Sequence, residues 1–472
     1  MARTKRFAII ILIVMLMLIP VSGLCGCGSV PQEKTEQKEI HVSAAGSDET
    51  GEGTKEAPYA TVSAAAKASP GSVIFIHEGD YGPIRLGPEC SGSEEAPTII
   101  RAAAGEKAVI HAEGGIGIFL ENVRHISVEG MEVEGGTHGI YYQSTREAGH
   151  SLMDQSTCEA GHPLTDISIR DCIVHGVRGT HGICVYARND LQPVQDITIE
   201  GCEVFDCECG SSESVVLNGN IDGFVIKDNT IHDNNNIGID MIGFEGTAMH
   251  PDEESGSNAY DADMVRNGTC AGNVIYNISA EGNTAYFEEG EYDLCAGGIY
   301  VDGGQNIEIY NNYVSNCDIG LEVATEHSPD ENELFKVSGI HVHDNVIADC
   351  TGYAGICFGG YDNDLGFTEG CVFEHNTLVD NSVQIGVQRS KNNRINSNLI
   401  IGGEIAVEFN DDLRSEDMIN DISGNAFCDI DDEESLTDAF GTVYQDRTKV
   451  IDGFRSLIDG VGSGFVPDEG AS

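Results

Sequence analysis

The sequence predicts an all-β chain, a right-handed parallel β-helix with a short capping helix at its N-terminal end. A short pattern recurs, in which an apolar pair, two or three residues, an Asn or Cys and one further residue precede Val, Ile or Leu. Successive copies lie 22 to 44 residues apart, and each shows strand-like alternation. A varying period of this kind, built from strands, is typical of stacked β-coils rather than of a helical solenoid.

The Asn or Cys of each copy is predicted to stack on its neighbours along the tube. Asn tolerates a left-handed backbone at the corner between two strands, and stacked amides hydrogen-bond to one another. Sixteen cysteines in an exported chain would suggest disulfides, but their places in these columns favour mostly free, structural thiols. The predicted ladder positions are Met131, Cys172, Cys202, Asn229, Asn273, Asn312, Asn345, Asn376, Asn398 and Asn425.

The ends of such a tube need covering because they expose unpaired strand edges. An alanine-rich stretch at residues 62–68 predicts a helix with Thr61 as its N-cap, ended by Pro70 and Gly71. We therefore expect residues 39–425 to form the β-helix with its N-terminal cap. Residues 426–472 lose the ladder pattern and are expected to be a C-terminal cap or tail.

Residues 1–26 are predicted to be an export signal, since a basic start precedes an apolar run of 13 residues at 7–19. Residues 24–27 resemble the lipobox of bacterial lipoproteins. The resemblance implies that Cys27 is lipidated, that residues 27–38 are a tether, and that the protein is extracytoplasmic and lipid-anchored to the bacterial cell membrane. An ordinary secretory signal with incidental cysteines is the alternative.

The chain is strongly acidic, with 78 Asp and Glu against 25 Lys and Arg and a formal net charge of −53. Such a surface repels nucleic acid and anionic lipid headgroups. It suits neutral substrates, or anionic ones that are bound through Ca²⁺. We expect a monomer.

Two acidic residues on consecutive coils are the most suggestive chemical feature. When the coils are aligned on Gly298 and Gly320, the second residue after each glycine points outward, which places Tyr300 and Glu322 in one stacked column. The fourth residue also points outward, and on the first of these coils it is Asp302. Asp302 and Glu322 are then one coil and two residues apart, roughly 8 Å between Cα atoms. This separation suits the carboxyl pair of a retaining or inverting glycosidase. A solvated acidic face and a structural Ca²⁺ site are the alternatives.

Further residues are expected around this pair. The column places Asp240 one coil earlier, where it would bind a sugar hydroxyl or a cation such as Ca²⁺. Tyr300 and Tyr361 are candidates to stack on sugar rings, His327 to orient an acid or bind substrate, and Arg389 to neutralise a uronate. Insertions at 146–163, 245–270, 326–336 and 361–369 are predicted to wall the cleft. The alignment rests on Gly139, Gly182, Gly238, Gly298, Gly320, Gly355 and Gly386.

Parts of the sequence between residues 40 and about 110 resemble the opening of family-9 polysaccharide lyases and their β-helix relatives. The matching pieces are residues 40–48, 53–54, 58–61, 70–76 and 79–81. The resemblance implies a pectate-lyase-like fold. Those lyases use a Ca²⁺ site of clustered aspartates and a lysine base. Residues 236–240 match the position of that cluster, but of its three acidic residues only Asp240 is present here.

A second resemblance is to the family-120 β-xylosidases, which share this opening and fold. Their strands carry Tyr-x-Asp on one coil and Glu-Val with a following His on the next. Here Tyr300 and Asp302 match the first, and Glu322 with His327 matches the second. The resemblance implies that Asp302 is the nucleophile and Glu322 the acid/base.

We therefore expect an enzyme that cleaves glycosidic bonds in a polysaccharide or oligosaccharide by acid/base hydrolysis, which requires no cofactor. A Ca²⁺-dependent polysaccharide lyase and a non-catalytic glycan-binding surface protein are the alternatives.

Overall fold

Three long parallel sheets run along the protein in the computed structural model, and together they form a parallel β-helix. The prediction of an all-β parallel β-helix is confirmed. Among the described residues, no helix is long and apolar enough to cross a membrane. The export signal, Cys27, most of the tether and most of the C-terminal segment lie outside the described part of the chain. The structure describes residues 37–145, 163–251, 258–360, 365–410, 418–437 and 440–444.

Each sheet takes one strand from almost every coil. The first sheet consists of Glu39–Val42, Val73–Ile76, Thr98–Ala102, Ile126–Glu129, Leu164–Arg170, Val194–Glu200, Ile221–Lys227, Val265–Ala271, Gln305–Tyr310, Val337–Ser338, His341–His343, Thr368–Glu369, Val372–Glu374, Ser390–Lys391, Arg394–Asn396 and Asp421–Ser423. The second sheet consists of Ile84–Leu86, Ile116–Glu121, His138–Ser144, His181–Ala187, Val215–Gly219, Ile239–Ile242, Gly297–Asp302, Ile319–Ala324, Ala354–Gly359, Val383–Val387 and Ile405–Phe409.

The third sheet consists of Gly79–Tyr81, Ala108–His111, Glu132–Glu134, Ile173–His175, Glu203–Phe205, Thr230–Asn234, Val274–Ile278, Tyr313–Cys317, Val346–Ala348, Thr377–Val379, Leu399–Ile401, Asn425–Cys428 and Gly441–Tyr444. Two antiparallel hairpins lie outside these sheets, His250–Pro251 with Asn258–Ala259 and Phe287–Glu288 with Glu291–Tyr292. Short 3₁₀ turns occupy Pro88–Cys90, Thr284–Tyr286 and Glu433–Ser435.

The asparagine ladder lies inside the tube, where the first sheet turns into the third. Asn273 donates its side-chain amide to Asn312 Oδ1 at 2.9 Å, and Asn312 donates in the same way to Asn345. The series continues to Asn376, Asn398 and Asn425 at 2.9–3.0 Å. Because each buried amide is satisfied by the next coil, the corner of the tube is held in register over the full series.

The cysteines behave as the columns predict. Cys172 and Cys202 occupy ladder positions and are fully or almost fully buried. Cys207, Cys317 and Cys350, which lie five residues after ladder positions, are also free and buried. For these five cysteines the structure agrees with the prediction of free, structural thiols.

The helix Val62–Ala68 forms as predicted, and the Thr61 side chain accepts a hydrogen bond from the Ala64 amide. At the other end, the expected boundary at residue 425 falls on the first residue of Asn425–Cys428. The strand Gly441–Tyr444 adds one more rung in parallel. The third sheet thus extends past the predicted boundary.

Two details of the predicted alignment of the second sheet are wrong. The strand Val215–Gly219 forms a coil between Cys184 and Asp240 that the glycine alignment passes over, because Ser214 stands where other coils have glycine. Further along, Gly386 pairs with Cys357 rather than with Gly355. The strand Val383–Val387 is therefore shifted by two residues from its predicted register.

Candidate active site

The two predicted catalytic residues lie on adjacent strands of the second sheet. Tyr300 pairs with Glu322, and Asp302 pairs with Ala324. Asp302 and Glu322 are therefore one rung and two residues apart, which corresponds to about 8 Å between Cα atoms. The intervening apolar side chains, such as Val301, belong to the core of the tube, whereas the two acids do not. The strand phase that brings the acids to one outer face is as predicted.

Loops that follow these strands cover the acids. Phe335, from the insertion after Ile319–Ala324, packs against Phe244 and Tyr260, with ring centroids 5.3 and 5.1 Å apart. The buried Asp263 accepts backbone hydrogen bonds from Gly246 and Ala248, at 2.6 and 2.8 Å. Two of the predicted insertions thus form a packed wall beside the acids.

Asp302, Tyr300 and Asp240 form the floor of the site, and they are more deeply buried than residues on a solvated acidic surface would be. Asp302 is 4% exposed, Tyr300 6% and Asp240 2%. Glu322 is partly exposed. Glu245 and Glu326 stand at the exposed rim. Burial of several carboxyl groups together disfavours their ionised forms.

Glu322 has the pKa of a general acid. Burial raises its pKa from an ordinary 4.5 to about 7, and the negative charge of Glu326 adds to the rise, while a hydrogen bond with Cys357 opposes it. A carboxyl group with this pKa holds a proton near neutral pH and can release it.

The pKa of Asp302 is also raised, first by burial and then by the charges of Glu326 and Glu245. The Glu326 backbone amide donates a hydrogen bond to Asp302 Oδ1 at 3.2 Å, which partly offsets that rise. This bond fixes the carboxyl group relative to the loop that begins after the strand Ile319–Ala324.

Asp240 lies opposite Tyr300, one rung before it. Its pKa is raised by burial and by the charges of Glu213 and Asp302. Asp240 Oδ1 is buried and has no hydrogen-bond partner among the described residues. An unpaired buried oxygen is costly, so this atom is available to a sugar hydroxyl or to a cation. Oxygen donors of this kind suit Ca²⁺.

Tyr300 lies between Asp240 and Glu322 in the column. Burial and the surrounding carboxylates raise the pKa of its hydroxyl well above the ordinary value. The group stays a neutral hydrogen-bond donor in the floor of the site.

His327 lies in the loop wall, and its Nε2 is 2.9 Å from Glu245 Oε1. That bond is the main reason why the pKa of His327 is raised. Its ring also lies 4.9 Å from that of Phe335. His327 thus links the two covering loops. Tyr361 lies outside the described residues.

Arg389 follows the strand Val383–Val387 and is 7% exposed. Its Nη2 is 3.8 Å from Asp330 Oδ2, and its Nη1 is buried without a hydrogen-bond partner among the described residues. By register, Arg389 comes three rungs after Asp302, about 14 Å along the sheet. It is a candidate for a distal part of the cleft rather than for the reacting centre.

Three acids of the site were missed from the sequence. Glu326 and Glu245 lie in loops, whose positions cannot be predicted from the periodicity of strands. Glu213 lies just before the strand Val215–Gly219, which the glycine alignment omitted. The position of Glu326, two residues after the strand that carries Glu322, was a usable signal because loops leaving that edge line the cleft.

Comparison with known proteins supports the architecture. A solved structure of a GH136 lacto-N-biosidase from Eubacterium ramulus superposes with a TM-score of 0.59 at 13% sequence identity, over 83% of this chain and 68% of that one. This likeness shows the fold.

Sequence comparison gives two further matches. A family model described as periplasmic copper-binding protein (NosD) matches residues 254–436. The uncharacterized protein YwoF of Bacillus subtilis strain 168 is 33% identical over 428 residues, which cover 84% of this chain and 81% of that protein. At this identity and coverage, the chain belongs to the protein family of YwoF.

Proposed function

We propose that this protein hydrolyses glycosidic bonds in a polysaccharide or oligosaccharide, with Glu322 as general acid/base and Asp302 as the partner carboxylate. The observation that carries the proposal is the pair itself. Two carboxyl groups lie about 8 Å apart between Cα atoms on one face of a rigid sheet, and one of them has a pKa of about 7.

In this mechanism Glu322 donates its proton to the oxygen of the departing sugar. Positive charge develops at the anomeric carbon as that bond breaks. Asp302, surrounded by Glu326 and Glu245, faces this charge and stabilises it, either by attacking the carbon or by activating a water molecule. Burial and the neighbouring carboxylates raise the pKa of Asp302, so it acts after its proton has passed to solvent, and the developing positive charge stabilises its ionised form.

The other floor residues fit a sugar ligand. Asp240 Oδ1 has no hydrogen-bond partner among the described residues and can accept from a hydroxyl group. Tyr300 presents a buried phenol beside it. Among the described residues, carboxyl groups outnumber other ionisable groups around Asp302 and would repel an anionic sugar, so we propose a neutral sugar at the site of cleavage.

The test is a panel of neutral plant and microbial polysaccharides, with release of reducing ends as the readout. Wild-type protein should release reducing ends, and Asp302→Asn and Glu322→Gln should not. Glu49→Gln, at an exposed position, serves as the control. Turnover that is unchanged in Asp302→Asn, or glycan binding without any turnover, would refute the mechanism. The latter result would favour a glycan-binding surface protein.

A Ca²⁺-dependent lyase acting on a uronate polymer is the second candidate. Two observations favour it, the unpaired Asp240 oxygen and the buried Nη1 of Arg389. Asp240 would contribute a ligand to the ion, which would neutralise the uronate. An unsaturated product that absorbs in the ultraviolet and disappears with chelator would establish the lyase.

We also propose that the protein acts outside the cytoplasm and is held to the membrane through a lipid on Cys27. The lipobox resemblance supports this. Wild-type protein should incorporate labelled palmitate, and Cys27→Ala should not, as shown by metabolic labelling. Absence of label in the wild type, or equal label in the variant, would contradict the anchor.

A further inference from the structure

A second cluster of chemically reactive side chains lies on the second sheet, outside the proposed catalytic pair. His138 pairs with His181 on the neighbouring strand, and Cys184 lies three residues after His181 on the same strand. One ring nitrogen from each histidine and the Cys184 sulfur all lie within 4.8 Å of one another. Cys184 belongs to the outer face of the sheet and not to the ladder inside the tube.

His181 is oriented as a metal ligand would be. Its Nδ1 is 3.2 Å from the Glu213 carbonyl oxygen and 3.3 Å from the Glu213 carboxylate. Protonation of Nδ1 leaves the lone pair on Nε2, which faces the Tyr186 hydroxyl at 3.1 Å. Carboxylate or carbonyl support of the far nitrogen is the usual arrangement behind metal-binding histidines.

His138 is held between two threonines. Its Nδ1 is 3.0 Å from Thr137 Oγ1, and its Nε2 is 2.9 Å from Thr180 Oγ1. Both ring nitrogens therefore have hydroxyl partners, and a metal ion at His138 would replace one of these two hydrogen bonds.

We propose that His138, His181 and Cys184 bind a thiophilic transition-metal ion of the Zn²⁺ class. Two imidazoles and a thiolate are ligands that Zn²⁺ favours in tetrahedral sites. The Tyr186 hydroxyl is 3.1 Å from His181 Nε2. It is a candidate for the fourth ligand, either directly or through a water molecule bound to the metal. On binding, the metal–sulfur bond replaces the S–H bond of Cys184, and one proton passes to solvent without a change of oxidation state.

The metal site adjoins the proposed hydrolase centre and shares Glu213 with it, but none of its three proposed ligands belongs to the catalytic pair. Cys184 and Asp240 share a column with the strand Val215–Gly219 between them, so they are two rungs apart, about 9.6 Å. This inference does not rest on the proposed function.

The test uses the full chain without an affinity tag, stripped with chelator and titrated with Zn²⁺ by calorimetry. Wild type should bind one ion at this site with release of a proton. His138→Ala, at a half-buried position, should weaken binding at least tenfold. His343→Ala should leave binding at this site unchanged, because His343 belongs to a separate group with Glu308 and His341 on the first sheet.

Co²⁺ supplies the second measurement because its thiolate complexes absorb strongly in the near ultraviolet. The charge-transfer band should be present in wild type and lost in Cys184→Ser. A band that persists in Cys184→Ser, or Zn²⁺ affinity that is unchanged in His138→Ala, would overturn the proposal. If Cys184→Ser fails to fold, the His138→Ala titration alone decides.

Discussion

Replacement of Glu322 by Gln separates the chemical role of this residue from its effect on folding. Gln has the shape of the protonated acid but cannot give up a proton. We expect turnover to fall about 100- to 10,000-fold, the usual contribution of a general acid. We also expect the variant to be more stable than wild type at alkaline pH, because it removes a carboxyl group that ionises at a cost in the folded protein.

The size of the stability change follows from the pKa. The unfolded chain ionises Glu322 near 4.5, and the folded protein does so at about 7. Between these values the folded state keeps a proton that the unfolded state releases, so wild-type stability falls as the pH rises. At about 1.4 kcal/mol for each pKa unit, the full difference is about 3 kcal/mol, present above pH 7 and absent below pH 4.5.

Urea denaturation of wild type and Glu322→Gln at pH 4.5 and pH 8 measures this difference. The two proteins should unfold at similar urea concentrations at pH 4.5, and the variant should unfold later at pH 8. Glu49→Gln, on the surface, should follow wild type at both values. Equal midpoints at pH 8, or an advantage confined to acid pH, would show that Glu322 is ordinarily ionised and is no general acid.

Three further predictions concern other parts of the molecule. Asp302→Asn should abolish turnover while its unfolding midpoint stays at or above that of wild type, because the change removes a buried carboxyl group that is costly to ionise; a large loss of stability would make its role structural. Arg389→Met should weaken binding of uronate oligosaccharides about tenfold or more and leave neutral ones unchanged, measured by calorimetry; an equal loss for both would place Arg389 outside the selective contacts. Asn312→Ala should cost about 2–4 kcal/mol in urea denaturation, since it leaves buried amides of the ladder unpaired. The exposed Asn316→Gly should cost much less, because glycine accepts the positive φ of 51° found there, and an equal cost would refute a special role for the ladder.

The ladder and the strand phase were predictable because both are local and periodic. An Asn at the same corner of successive coils from Asn229 onward, such as Asn312, and apolar residues at alternate positions, such as Val301, define which side chains enter the tube. The relative placement of Asp302 and Glu322 follows from that phase together with the spacing of strands. The register of Gly386 could not be obtained in the same way, because a glycine near the start of a strand is a weak marker when the period varies.

The walls of the site were less predictable because loops carry no period. Glu245 and Glu326 reach the site only through loops, one of which is fixed by Asp263 and by the packing of Phe335. The burial of Asp302 depends on the same packing. Without it, the column would have been an ordinary solvated acidic face, and its carboxyl groups would have had ordinary pKa values.

The arrangement of these acids bears on why a β-helix suits this chemistry. Carboxylates crowded on one face repel one another, and a flexible scaffold would relieve the repulsion by moving them apart. Here the strands that carry Asp302 and Glu322 have parallel neighbours on both sides, and the asparagine ladder holds the corners of their coils. The repulsion is therefore expressed as raised pKa values rather than as movement. The rigid rungs keep Glu322 protonated near neutral pH and Asp302 ready to face positive charge, and both conditions would be lost if the coils could slide.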